Sequence, residues 1–362
     1  MVNLALSRDD RLVKLLVTLS DSLDPGFGRI AAVDLERESA EIVLEWVPPP
    51  SLRTSGKGFL GLAWLGTPGQ SDLVACAHAG LCRIDPTTWT VTGVLHQPCM
   101  NDLHHVAVHE GRLIVTNTGV DRVDLLDMSG QFVGGWDMSP AWITAERLNG
   151  RNPSRDSWAG ALRRGWGLES GAIENEPFPP NLAELASPSL PFATRKTRHF
   201  VHPNHITMLA GRPLVTRFID RSIQDLADWS FPIPETPGHP HDGEVHGDRF
   251  WITCTAGLVA AYAIENGRLT SREVERIDIP ECIGRRGWCR GLIVKEDLIV
   301  VSLTAVQYMP PFGWPYPDFS NTETSILAID RRTLKLVAHV DLQTFGQLPK
   351  LFGMVEWPTQ RR

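Results

Sequence analysis

A chain of 362 residues with 42% apolar and 21% charged residues has ordinary globular composition and enough length to bury a large core. Its formal charge of -7 comes with no basic run, which argues against nucleic acid or an acidic membrane as partner and favours a small molecule or a protein. Charges interrupt Met1–Arg11 before an apolar leader could form, no run of eighteen apolar residues follows, and the six cysteines form no C-x-x-C pair. The expectation is a soluble, cytoplasmic protein with free thiols.

Short strands rich in Val, Ile, Leu and Thr, set apart by turn residues in groups of about four, predict an all-β chain built as a propeller. Six units are read in chain order, at 10–50, 58–98, 101–138, 201–235, 239–280 and 287–342, the fourth being the least regular. The third strand of most units ends on an acid and a turn, as in Ala32-Val33-Asp34, Arg83-Ile84-Asp85, Leu125-Leu126-Asp127 and Ala328-Ile329-Asp330. The first unit lacks an inner strand, whereas Leu351–Trp357 reads as an inner strand without a unit. Joining the two predicts a ring with no open edge, hence one six-bladed domain over 1–362.

Two insertions break the rhythm. Residues 139–200, with Ser157–Arg164 as a short helical stretch, and residues 306–324, with the aromatic run Pro310–Pro317, should emerge on the face where inner strands begin. There they would form a lid over an organic substrate, or else pack against the ring or a second copy.

The inner strands carry the chemistry. Leu103-His104-His105-Val106 precedes Gly111-Arg112-Leu113, and Pro203-Asn204-His205-Ile206 precedes Gly211-Arg212-Pro213, with the same six-residue step from His to Gly. Counting six back from Gly247 lands on His241, and the next unit puts Arg290 in that slot. Leu60 and Phe352 fill the two remaining places. Three imidazoles at one level could hold a divalent transition metal, iron or zinc, with open positions for water or substrate, while Arg290 binds an anionic group without ligating. A polar inner lining that merely holds water is the alternative.

Lesser candidates surround this ring. Glu244, of opposite parity to His241, would act as an acid or base only if Gly243 introduces a bulge. His202 at the mouth is a proton shuttle or a solvated loop residue. His104, Asn204 and Cys289 could orient ligands, and Asn117, Arg217 and Thr255 end second strands on the same face. The chain has no G-x-S-x-G, P-loop, G-x-G-x-x-G after a strand or H-E-x-x-H, so no nucleotide cofactor is expected.

The segment Asp102–Asp127 resembles a blade of the bacterial arylsulfotransferases, which implies histidines and an arginine handling a sulfuryl group, here one of His105, His205 or His241 with Arg290. Carotenoid-cleaving oxygenases are similar in using inner-strand histidines for iron, on seven blades with four histidines. Three functions therefore stand open. The first is a metal-dependent enzyme on a small anionic or aromatic molecule, the second metal-free group transfer or lyase chemistry by His and Arg, and the third a non-catalytic interaction propeller.

Overall fold

A computed structural model describes residues 13–21, 27–49, 58–97, 100–138, 172–174, 200–306 and 321–358. Six antiparallel sheets form the six predicted units. Blades 2, 5 and 6 are four-stranded and begin with the inner strands Leu62–Trp64, Pro240–His246 and Trp288–Val294; blade 4, begun by Pro203–Leu209, has three strands. Blade 3 starts at Leu103–His109, and Ala172–Glu174 adds a fifth strand at its outer edge. Except for that strand and the terminal residues 200 and 306 and 321–324, both insertions lie outside the described residues, and with them the lid and the aromatic run.

Blade 1 closes the ring as expected. Its inner strand is Pro349–Trp357, paired antiparallel with Lys14–Asp21 from Lys14 opposite Trp357 to Asp21 opposite Pro349. The edge that either end would leave open is thereby filled.

The turns follow from the acids that end the third strands. Asp34 accepts from the backbone N–H of Glu36 and Arg37, Asp85 from Thr87, Asp127 from Ser129 and Gln131, and Asp330 from Arg332 and Thr333. Each carboxylate substitutes for a backbone acceptor and fixes the hairpin into the outer strand. The core is divided in the same way, into apolar clusters that lie between neighbouring blades rather than in one central mass. Leu15, Val17, Ala31 and Val33 of blade 1 pack on Ile293, Val300, Ile326 and Ala328 of blade 6, and Leu214 and Ile223 of blade 4 pack on Phe250 and Ile252 of blade 5.

One irregularity repeats around the ring. The inner strands slip register against their second strands between Leu103 and His105, Pro203 and His205, Pro240 and Gly243, and Arg290 and Leu292. At each of three bulges a threonine hydroxyl on the second strand takes the stranded N–H: Thr116 that of His105 at 2.8 Å, Thr216 that of His205 at 2.9 Å, Thr253 that of Asp242 at 3.1 Å. Thr18 does the same for Gly353 in blade 1, at 2.8 Å. The hydroxyls then donate onward to the next blade, Thr116 to the carbonyl of Asn204 at 3.2 Å and Thr216 to that of His241 at 2.9 Å. A buried N–H left unpaired costs about 1–3 kcal/mol, so these threonines both permit the bulges and stitch the blades.

Candidate functional site

The bulges set the true levels of the ring. Pro203 and Pro240 pair with Arg217 and Cys254, and Ile206 and Gly243 pair with Val215 and Ile252, so Asn204-His205 aligns with His241-Asp242. His105, His205 and Asp242 therefore share one level, and His104, Asn204, His241 and Arg290 share the level before it. The count from glycine is one residue off in blade 5. Its hairpin places Gly247 (φ 61°) first in the two-residue turn, whereas Gly111 (φ 69°) and Gly211 (φ 78°) come second in theirs, after Glu110 and Ala210. The prolines that open the two inner strands carry the correct register in the sequence.

On the deeper level the rings of His105 and His205 stack, with centroids 3.6 Å apart and planes 31° apart. His105 Nδ1 accepts the N–H of Ile206 at 3.3 Å, and His205 Nδ1 lies 3.3 Å from the hydroxyl of Thr207. Burial lowers both imidazoles: His205 to about 4, with Asp242 acting against the shift, and His105 well below its ordinary value, with His205 reinforcing burial. Both are neutral at pH 7.

Asp242 joins the two levels. Its Oδ2 accepts from His241 Nδ1 at 2.6 Å and from the backbone N–H of Gly291 in blade 6 at 2.8 Å, while Oδ1 stands 3.9 Å from His205 Nε2. Burial alone would raise this carboxyl, but His241, His205 and His105 outweigh it and hold the group well below the usual carboxylate range. An ionised carboxylate only accepts, so His241 carries its proton on Nδ1 and presents Nε2 as the basic nitrogen.

Toward the start of the inner strands the chemistry thickens. Asp102, in a left-handed conformation at φ 54°, places Oδ1 3.3 Å from His104 Nε2 and 3.7 Å from His78 Nδ1. The rings of His104, His241 and Phe352 form a near-equilateral triangle with sides of 6.2, 6.2 and 6.5 Å. His202, also left-handed at φ 55°, meets His104 edge-on at 4.8 Å and donates its N–H to Asp121.

Arg290 belongs to this outer level. It is 8% exposed, with its guanidinium carbon 4.2 Å from the Phe352 ring centre and 4.8 Å from that of Trp288. Nη1 reaches the carbonyl of Leu351 only at 3.5 Å, and Nε has no hydrogen-bond partner among the described residues. Burial brings its pKa down to about 10, with Asp242 and Asp102 acting against that shift, so the group stays charged at pH 7.

The other sequence candidates divide. Glu244 lies away from this cluster, accepting the N–H of Val294, the last residue of blade 6's inner strand, at 2.9 Å. Asn117 is tied to Asp124 and Asn101, Arg217 to Asp220 and Gln224, and the Thr255 backbone to His239 and Cys289. Cys289 packs in the core between blades 5 and 6. Sequence reasoning missed Asp242, Asp102, His78 and Trp288. Asp242 follows His241 directly in the chain, and the bulge that turns both toward one another is what alternation along a strand conceals.

Among the described residues no group of three or more His, Cys, Asp and Glu side chains is disposed to hold a metal ion. The donor set explains this. Two of the three expected imidazoles stack on each other, His105 Nδ1 is occupied by a backbone N–H, and His241 sits one level away with its Nδ1 on Asp242.

No family model matches the chain, and no curated protein matches it. Among solved structures it is similar to a Bacteroides caccae protein of unknown function, at 10% identity over 96% of this chain and 100% of that one, with a TM-score of 0.58. A second likeness is to a structure of the nidogen/laminin complex, at 10% identity over 96% of this chain and 99% of that one, with a TM-score of 0.55. At such identity the likeness is one of fold. The protein is a six-bladed β-propeller. No helix among its described residues is long and apolar enough to cross a membrane.

Proposed function

We propose that the protein is an enzyme acting on a small anionic molecule by acid–base chemistry, with Arg290 anchoring the anion and His241, oriented by Asp242, moving the proton. The observation that carries this reading is Arg290: a residue 8% exposed, with an unpartnered Nε and no carboxylate at ion-pair distance among the described residues. A buried charge whose N–H groups are not all paired is costly, and a bound anion would supply the missing contacts.

The Asp242–His241 contact supports the second role. A carboxylate 2.6 Å from Nδ1 fixes the tautomer and stabilises the imidazolium that forms when Nε2 takes a proton. His104 beside Asp102 and His202 beside His104 supply further groups that could return a proton on the other side of a bound molecule. The stacked His105–His205 pair, held neutral beneath, leaves Asp242 as the charged group of its level. This reading uses the metal-free alternative, because the residues present do not converge as a three-histidine ion site.

Untargeted mass spectrometry of a small-molecule extract incubated with the protein tests it. Wild type should deplete at least one anionic compound, His241→Asn should fail to do so while remaining folded, and Arg290→Gln should do so far more slowly. Equal depletion by wild type and His241→Asn, or none by wild type, would sink the reading.

A further inference from the structure

Resting on the reading of Arg290 as an anion anchor, we propose that the anion is a small organic monocarboxylate, bound edge-on to the Arg290 guanidinium, rather than a phosphate or sulfate. Three observations lead there.

The first is that donors remain. The guanidinium carbon lies 4.2 and 4.8 Å from the ring centres of Phe352 and Trp288, neither of which can accept its N–H groups in the way a carboxylate does. Nε has no partner among the described residues and Nη1 has only the 3.5 Å contact to Leu351. A fork of this kind takes two oxygens of a carboxylate at once, as it does two of a phosphate, so the choice between them falls to charge and lining.

The second is local charge. Arg290 is buried close enough to Asp242 and Asp102 for both to act on it electrostatically, and Asp242 is ionised. Repulsion from these acids doubles for a dianion such as phosphate near neutral pH and is smallest for a single charge. Thirdly, the neighbours of the anchor are rings, with the Trp288 Nε1–H as one further donor that has no partner among the described residues. Phe352 touches Arg290 on one side and faces His104 and His241 at 6.2 and 6.5 Å, and Trp288 continues to Phe218 at 6.3 Å. A carboxylate with an apolar or aromatic body suits that lining. The carbon next to the carboxylate would then lie toward His241, whose Nε2 is the basic nitrogen.

Binding of four probes at pH 7.5, benzoate, propionate, inorganic phosphate and sulfate, measured by ligand-observed NMR and calorimetry, tests the proposal without any turnover assay. Wild type is expected to bind benzoate at least tenfold more tightly than phosphate or sulfate, with propionate between. Arg290→Gln should weaken benzoate at least tenfold, and Arg290→Lys, which keeps the charge and loses the fork, should weaken it by less than Arg290→Gln but by threefold or more. Asp102→Asn should raise phosphate affinity relative to benzoate by threefold or more. Phosphate or sulfate binding as tightly as benzoate, no probe binding at all, or benzoate affinity unchanged in folded Arg290→Gln and Arg290→Lys would overturn it. Carboxylate binding that persists in a protein without turnover would count against the acid–base reading and leave this one standing.

Discussion

His241 and Asp242 are consecutive residues of one strand, yet their side chains meet, Nδ1 to Oδ2 at 2.6 Å. In regular strand they would point to opposite faces; the register slip between Pro240 and Gly243 brings them together, and Thr253 supports it by taking the Asp242 N–H at 3.1 Å. A local defect in pairing thus creates a base with its orienting acid.

Asp242→Asn keeps the shape and removes the charge. The amide can accept from Gly291 or from His241 but no longer as an anion, so His241 loses the group that fixes its tautomer. We expect a stability loss of about 1–3 kcal/mol by urea titration, and a fall of about 10²–10⁴-fold in the turnover of whatever compound the wild type consumes. Unchanged turnover would separate the dyad from the chemistry.

The stacked pair makes a pH prediction. His205 titrates at about 4 in the folded protein and near 6.5 unfolded, so between those values the unfolded chain binds the extra proton. Stability should therefore fall as pH drops from 6.5 toward 4, by on the order of 2–4 kcal/mol for this residue, and level off below. His105, lowered further, adds to the same slope. Unfolding free energies at pH 7.0, 5.5 and 4.5 check this: His205→Gln should flatten the dependence, and an identical slope in the variant would refute the assignment.

These residues show what was legible from the sequence and what was not. The blade count, the closure by Leu351–Trp357 and the acid-ended third strands depend on alternation and turn chemistry, which are local and repeat. The level of each histidine depends on where a bulge falls and on which of two turn residues is glycine, and these shift a register by one without altering hydrophobic pattern. Hence the histidine-to-glycine spacing puts His105 and His205 on one level, as the structure does, but puts His241 in the slot that Asp242 occupies. The role of Asp102 is hidden for another reason: its partner His78 comes from blade 2, a contact made only where that blade packs on blade 3.

Glu244 predicts the opposite pH trend. Burial pushes its carboxyl up to about 8, with the N–H of Val294 and Lys295 acting the other way and Glu356 adding to the rise. The unfolded chain releases this proton near 4.5, so the residue's contribution is present below that pH and is lost as pH rises toward 8. Glu244→Gln mimics the protonated form. It should leave stability at pH 5 nearly unchanged and exceed wild type at pH 8.5, as measured by thermal unfolding; a variant less stable than wild type at both values would show that the charged form is the native one.

Ring closure supplies the last prediction. Lys14–Asp21 has Gly28–Asp34 on one side and Pro349–Trp357 on the other, and Thr18 ties the closure by accepting the Gly353 N–H at 2.8 Å and donating its own proton to the carbonyl of Leu60 at the start of blade 2. A chain ending at Leu348 would leave that strand with an unpaired edge and would uncover Leu15, Val17 and Leu19, each now at most 1% exposed. Such an edge pairs with whatever strand it meets. The shortened chain should elute from size exclusion as species larger than the intact protein, and a synthetic peptide of residues 349–358 added during refolding should restore the intact protein's elution by supplying the missing strand. A peptide with Gly353→Val should fail to do so, because a side chain there would press on the backbone of Leu60 and Leu62, 2.8 and 3.0 Å from the position its Cβ would take. A truncated chain that elutes and melts like wild type would mean that the ring is held by the contacts between blades and that its closing strand is dispensable.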